Sequence, residues 1–295
     1  MTVVIPDLRV YPNLTGKTLL ICVGAAKCAT SWLHDYLGSR CEVAVSPLKE
    51  LHFFDSKFPE HALGDADGLA LARLSFQLGQ AGDAVVNLRR RAIFQASLDR
   101  GQMIYDDNAY FGHFARLCGP QTRCFCDLTP SYSAIGAEGF AYMKRFCASQ
   151  DIEVKILFLM RDPVQRFWSQ LRHLQQMNPV NDVASKWRRA LTAPALLARA
   201  DYRGTVLALE QVFPSANLLC LFYESLFEGD DVIRRLCGFI GIPFAPAATI
   251  QRHNETTVRL PLPDDAEDAF RRLLAPQYDF CRERFGRSVP GSWLA

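Results

Sequence analysis

The chain has 295 residues, 49% of them hydrophobic and 22% charged, with a formal net charge of +2. That make-up excludes a disordered or fibrous chain and a protein held to nucleic acid by overall charge, and it supplies enough apolar residues for a sizeable core. No apolar run approaches the ~20 residues of a bilayer span, and the amino terminus lacks the apolar stretch of a signal peptide, so a cytosolic protein without membrane contact is expected.

After a lead-in punctuated by Pro6, Pro12 and Gly16, residues 18–23 form a short apolar run that reads as a buried strand, and Gly24 permits a tight turn after it. Residues 30–37 carry Trp32, Leu33, Tyr36 and Leu37 at helical spacing. A strand, turn and helix in that order aim unpaired N–H groups and the positive end of the helix dipole at one point, which suits a phosphate or sulfate. Lys27 adds a full charge there, and Thr30 and Ser31 add hydroxyls. The strict nucleotide-triphosphate loop, Gly-x-x-x-x-Gly-Lys-Ser/Thr, is not met, because Lys27 comes three residues after Gly24 and small Cys28 and Ala29 replace the second glycine.

Residues 42–45 read as a second strand. The segment that follows places Lys49, Glu50, His52 and Asp55 beside Phe53 and Phe54, which gives a base, a proton partner and charge on one loop with an apolar anchor. Residues 56–103 suggest helices interrupted near Gly79 to Gly82, with several arginines that read as a solvated face. Tyr105, Tyr110, Phe111 and Phe114 then cluster as expected core. A strand from Arg123 ends in the turn Thr129-Pro130-Ser131-Tyr132 after Asp127.

Ten cysteines include a group with His113, namely Cys118, Cys124 and Cys126, but Cys-x-Cys lacks the usual two-residue gap of zinc knuckles. Buried, reduced thiols and no metal are expected.

Residues 154–160 form a continuous apolar strand running into Arg161-Asp162-Pro163, where Pro163 at the first helical position and Asp162 as N-cap mark a helix start. Arg161 then sits at the carboxyl end of a parallel strand, where open α/β sheets bind ligands, and Arg166, Ser169 and His173 share one helix face. An arginine fork with a hydroxyl is what a phosphate monoester needs. Residues 175–217 read as helical with breaks at Pro179, Pro194 and Pro214, 218–223 as a buried strand, 232–240 as a helix, and 265–285 as a last helix ended by Gly286. The alternation predicts an α/β fold, one domain over 1–295, with a central parallel sheet flanked by helices.

Gly24-x-x-Lys27-x-x-Thr30-Ser31 resembles the 5′-phosphosulfate loop of sulfotransferases that use 3′-phosphoadenosine 5′-phosphosulfate (PAPS). Lys49-Glu50-x-His52-Phe53-Phe54 is similar to a segment of glycan and related members, and Asp127-x-Thr129-Pro130-x-Tyr132 to one of bacterial members. Arg161-Asp162-Pro163-x-x-Arg166-x-x-Ser169-x-x-x-His173 is similar to the family's 3′-phosphate signature.

The resemblance implies a P-loop-like sulfotransferase fold and PAPS as cofactor, with adenosine 3′,5′-bisphosphate as product and no metal. Gly24, Ala25, Ala26, Lys27, Cys28, Ala29, Thr30 and Ser31 would hold the 5′-phosphosulfate, and Arg161 and Ser169 the 3′-phosphate. Glu50 would be the general base, His52 would position or share the proton, and Lys27 would neutralise the departing oxygen. Lys49, Asp55, Asp127 and His173 would face a small-molecule or glycan acceptor, a hydroxyl or an amine, and Arg259 is the candidate from a covering loop at 252–259. On the residues alone, a nucleoside-triphosphate kinase and a non-catalytic nucleotide-binding protein stay open.

Overall fold

The computed structural model describes residues 5, 7–247 and 256–293. Strands β1 (Lys17–Gly24), β2 (Val43–Val45), β3 (Cys124–Leu128), β4 (Ile152–Met160) and β5 (Leu218–Phe222) form a five-stranded parallel sheet in the order β2-β3-β1-β4-β5, flanked by helices in a P-loop-like arrangement. Strands covered on both faces need no polar alternation, and Leu19 to Val23 of β1 are accordingly all fully buried. Ile21 stands between Asp127 of β3 and Ile156 of β4. The turns leaving β1, β3 and β4 therefore emerge side by side at the carboxyl edge, where a crevice for ligands forms.

Two helices start directly at that edge. Thr30–Gly38 follows the turn after β1, and Pro163–Met177 follows β4. The second has the expected cap, with Asp162 Oδ1 accepting from Gln165 N at 2.8 Å and Pro163 in the first turn. The aromatic anchor is also real. Phe53 and Phe54 are fully buried against Tyr110, Tyr132 and Phe146, with ring centroids 4.6 Å apart for Phe53 and Tyr110 and 5.3 Å for Phe54 and Tyr132. Each ring contributes about 1.5–3 kcal/mol by leaving water. Tyr105 departs from the expected core and is largely exposed.

Residues 56–103 hold the helices Ala66–Leu78, Ala84–Arg90 and Ala92–Gln102, broken near Gly79 to Gly82 as the sequence suggests. Strand β2 is shorter than the expected 42–45, because the Glu42 carbonyl accepts from Arg123 N (2.8 Å) and Cys124 N (3.1 Å) rather than joining the ladder. Pro194 starts the helix Pro194–Ala200 instead of breaking one, since proline suits the first turn, where the N–H it lacks has no intrahelical partner. The last helix, Asp264–Phe285, ends at Gly286, whose φ of 52° glycine adopts without strain. Among the described residues no helix is long and apolar enough to cross a membrane, and no group of three or more His, Cys, Asp or Glu side chains is placed to hold a metal ion.

Candidate functional site

The loop from Gly24 to Ser31 is shaped by close packing and by left-handed backbone. A Cβ on Gly24 would stand 2.9 Å from Ser133 Cβ and 3.0 Å from Phe158 Cε2, so only glycine fits between those elements. Lys27 (φ 70°) and Ala29 (φ 60°) are left-handed, a conformation that turns successive amides into an anion-binding nest. Ala29, as N-cap of Thr30–Gly38, supplies no side-chain acceptor, so the first-turn amides keep their donors for another partner. Thr30 is buried in that turn, and Ser31 is half-buried beside it. Burial pushes the Cys28 thiol up to about 12, so it stays protonated and takes no part as a nucleophile.

Arg161 joins this loop from the end of β4. Its Nη1 donates to the Lys27 carbonyl at 3.3 Å, and its guanidinium carbon lies 4.7 Å from the Tyr223 ring centroid. The backbone that carries it is braced on three sides. Tyr202 OH donates to the Arg161 carbonyl (2.8 Å), Asp162 N donates to Glu224 Oε1 (3.0 Å), and Tyr278 OH donates to Asp162 Oδ2 (2.8 Å). Two motifs far apart in sequence thus form one cationic wall.

Lys27 reports the field of that wall: burial, then the charges of Arg161, Lys49 and Arg172, lower its pKa to about 8. A lysine pulled down in this way gains from an incoming anion, because the anion offsets like-charge repulsion. Ser169 is buried on the helix after Arg161, and His173 further along is half-buried. Burial, then the charge of Lys27, lowers the His173 pKa. Arg166 is fully buried, and none of its guanidinium nitrogens has a hydrogen-bond partner among the described residues.

The segment from Lys49 to Asp55 forms a second wall, and here the charges are paired. Glu50 Oε1 accepts from Lys49 Nζ at 2.8 Å, and Glu50 Oε2 lies 3.4 Å from His52 Nε2. On its other side His52 Nδ1 lies 2.8 Å from Asp55 Oδ2, which also accepts from Ser131 Oγ. Burial alone would raise the Glu50 carboxyl, but His52 and Lys49 outweigh it and hold it well below the usual carboxylate range. Burial opposes charge on His52 as well, yet Asp55 and Glu50 raise it to about 9. Glu50 (φ 66°) and His52 (φ 53°) are both left-handed, and each such residue costs about 1–3 kcal/mol unless its surroundings hold it.

Asp127 stands elsewhere than an acceptor wall. It is 1% exposed, and its oxygens accept from Thr129 Oγ1 (2.6 Å), Tyr132 OH (2.8 Å) and Tyr110 OH (3.1 Å). Burial raises it to about 6 in spite of those donors. The surface-facing role implied by the resemblance is corrected on this point, since no acceptor reaches a carboxylate enclosed by three hydroxyls. Arg259 is exposed, and residues 252–255 of the expected covering loop lie outside the described residues.

Sequence reasoning missed Arg73 and Arg100. Arg73 Nη1 donates to the Glu50 carbonyl (2.9 Å), while Arg100, fully buried, reaches the Leu51 carbonyl with Nε and the His52 carbonyl with Nη2 (3.1 Å). An arginine within a helical stretch reads as surface, and no local pattern signals that it turns inward to a loop far away in sequence.

A parallel sheet with an anion-shaped loop after its central strand defines the P-loop-like class, and comparison with known proteins places the chain within it. The family model described as "Sulfotransferase family" matches residues 20–246, so the chain belongs to the sulfotransferase family, whose members transfer sulfuryl groups. Among solved structures, a sulfotransferase from Alicyclobacillus acidocaldarius is 21% identical with a TM-score of 0.59, over 94% of this chain and 98% of that one. The sulfotransferase domain from the curacin biosynthetic pathway is 17% identical with a TM-score of 0.50, over 90% and 98%. At these identities the likeness is one of fold. No curated protein matches the chain.

Proposed function

We propose that the protein transfers a sulfuryl group from PAPS to a hydroxyl or amine of a small-molecule or glycan acceptor. The observation that carries this reading is the cationic wall, in which half-buried Lys27 stands in a nest-like loop that Arg161 reaches from the end of β4, donating to the Lys27 carbonyl, and is pulled down to about 8. A ligand with a sulfated phosphate at one end and a second phosphate at the other suits such a wall. On this reading the loop amides, Lys27, Thr30 and Ser31 take the 5′ end, and Arg161 with Ser169 takes the 3′-phosphate.

The acceptor atom forms a bond to sulfur as the bond from sulfur to the 5′-phosphate oxygen breaks. The acceptor proton passes to Glu50, and the charge left on the phosphate oxygen is met by Lys27 and the loop amides. Glu50 in its resting pair is a weak base, because Lys49 and His52 hold it ionised. An acceptor hydroxyl approaching Oε1 competes with Lys49 Nζ, and losing that ammonium raises the basicity of Glu50 at the moment it is needed. His52, charged and held by Asp55, keeps the carboxylate aimed. The ten cysteines are free thiols, which supports a reducing, cytosolic location as part of the same proposal.

The test is turnover of PAPS with a panel of simple alcohols, phenols, amines and sugars, read as release of adenosine 3′,5′-bisphosphate and sulfate on the acceptor. Acceptor-dependent release that is lost in Lys27→Ala is expected. Turnover of magnesium-ATP instead would favour phosphoryl transfer, and tight bisphosphate binding without any transfer would favour a nucleotide-binding protein.

A further inference from the structure

The backbone from Glu50 to Phe53 is held on both sides. On one side Arg73 and Arg100 hold the carbonyls of Glu50, Leu51 and His52. On the other, Leu51 N donates to Thr129 Oγ1 at 3.0 Å and Phe53 N donates to Tyr132 OH at 3.1 Å. Residues 51 and 53 alternate with left-handed Glu50 and His52, so these two amides fix the conformation that carries both side chains.

Both hydroxyls converge on one group. Thr129 Oγ1 donates to Asp127 Oδ1 and Tyr132 OH donates to Asp127 Oδ2. A hydroxyl can turn its proton toward any nearby acceptor, and if it did so its lone pairs would no longer face the loop amides. An ionised carboxylate only accepts, so it commits both protons to itself and leaves both oxygens facing Leu51 N and Phe53 N. Asp127 sits on fully buried β3, paired with Ile21 of central β1.

We infer that Asp127 is a positioning residue for the transfer: it sets the direction of the Thr129 and Tyr132 hydroxyls, which hold the 50–53 backbone and so aim Glu50 and His52 at the acceptor. The inference rests on the proposed role of Glu50 as base, but the clamp itself has a readout independent of turnover.

The experiment compares Thr129→Val, Tyr132→Phe and Asp127→Asn in the full chain. Three quantities are measured: hydrogen exchange of the Leu51 and Phe53 amides, kcat and KM with PAPS, and the Kd of adenosine 3′,5′-bisphosphate. Exchange should quicken at Leu51 in Thr129→Val, at Phe53 in Tyr132→Phe and at both in Asp127→Asn. The kcat should fall about tenfold or more in each while bisphosphate Kd stays within about twofold, as for an interaction that acts on the transfer step alone. Thr129→Ser, which restores the hydroxyl, should recover kcat.

Unchanged exchange at both amides would overturn the inference, and so would full kcat in folded Thr129→Val and Tyr132→Phe. If Asp127→Asn does not fold, the two hydroxyl deletions carry the test. A wild-type protein that binds no bisphosphate and transfers nothing would contradict the proposed function instead, and the exchange rates would still decide whether the clamp exists.

Discussion

The two walls of the crevice are built on opposite principles. Around Lys27 the cations crowd one another, the first-turn amides have no side-chain cap, and buried Arg166 has no hydrogen-bond partner among the described residues. Around Glu50 the charges are already matched, from Lys49 through His52 to Asp55, and the backbone carbonyls are held by two arginines. On the proposed reading the first wall is completed by an anion from outside, while the second is already matched and needs only a proton to move. Both store left-handed backbone, Lys27 and Ala29 on one side and Glu50 and His52 on the other, so precise placement matters to each.

The largest expected effect separates the walls most cleanly. Glu50→Gln should lower kcat by ~10²–10⁴, the usual contribution of a general base, while bisphosphate affinity is kept. Steady-state kinetics beside calorimetry checks this, and unchanged turnover would remove Glu50 from the role. Arg161→Ala should do the reverse, weakening bisphosphate binding by about 10–100-fold, in line with a charge-assisted hydrogen bond. Intact affinity in that variant would mean that the 3′-phosphate lies elsewhere.

A packing change should sharpen the picture of the loop. Gly24→Ala forces a Cβ against Ser133 and Phe158 and should cost about 1–3 kcal/mol, visible as a lower denaturant midpoint. A neutral result would mean that the turn relaxes at little expense.

The smallest effect is one of pH. Lys27 in the free protein titrates near 8, below its ordinary value, and a bound anion raises it again. Binding should therefore take up protons near pH 8, and affinity should fall by up to ~tenfold per pH unit above it. Calorimetry in two buffers of different ionisation enthalpy measures the uptake. On the acid side Glu50 is held ionised below the usual carboxylate range, so kcat/KM should persist as pH falls through ~4.3 and be lost only lower.

Most of the fold was legible because it is local. The apolar runs of β1 and β4, the Asp162 and Pro163 helix start and the glycine punctuation near Gly79 to Gly82 all act within a few residues of where they are read. The charged segment at Lys49 to Asp55, whose side chains pair with one another, stands out in the sequence for the same reason. What holds it does not. Arg100 bonds the Leu51 carbonyl across 49 positions and Thr129 takes the Leu51 amide across 78, and no periodicity encodes such pairings. Asp127 was placed toward the acceptor only by the resemblance of its segment to one of bacterial sulfotransferases; three hydroxyls closing over it are a property of packing.

The most direct test is calorimetric titration of the wild-type chain with adenosine 3′,5′-bisphosphate, with AMP and magnesium-ATP as controls. The account predicts micromolar binding of the bisphosphate and about tenfold or weaker binding of AMP, which lacks the 3′-phosphate that Arg161 and Ser169 are proposed to hold. Equal binding of AMP, or a preference for magnesium-ATP, would contradict it.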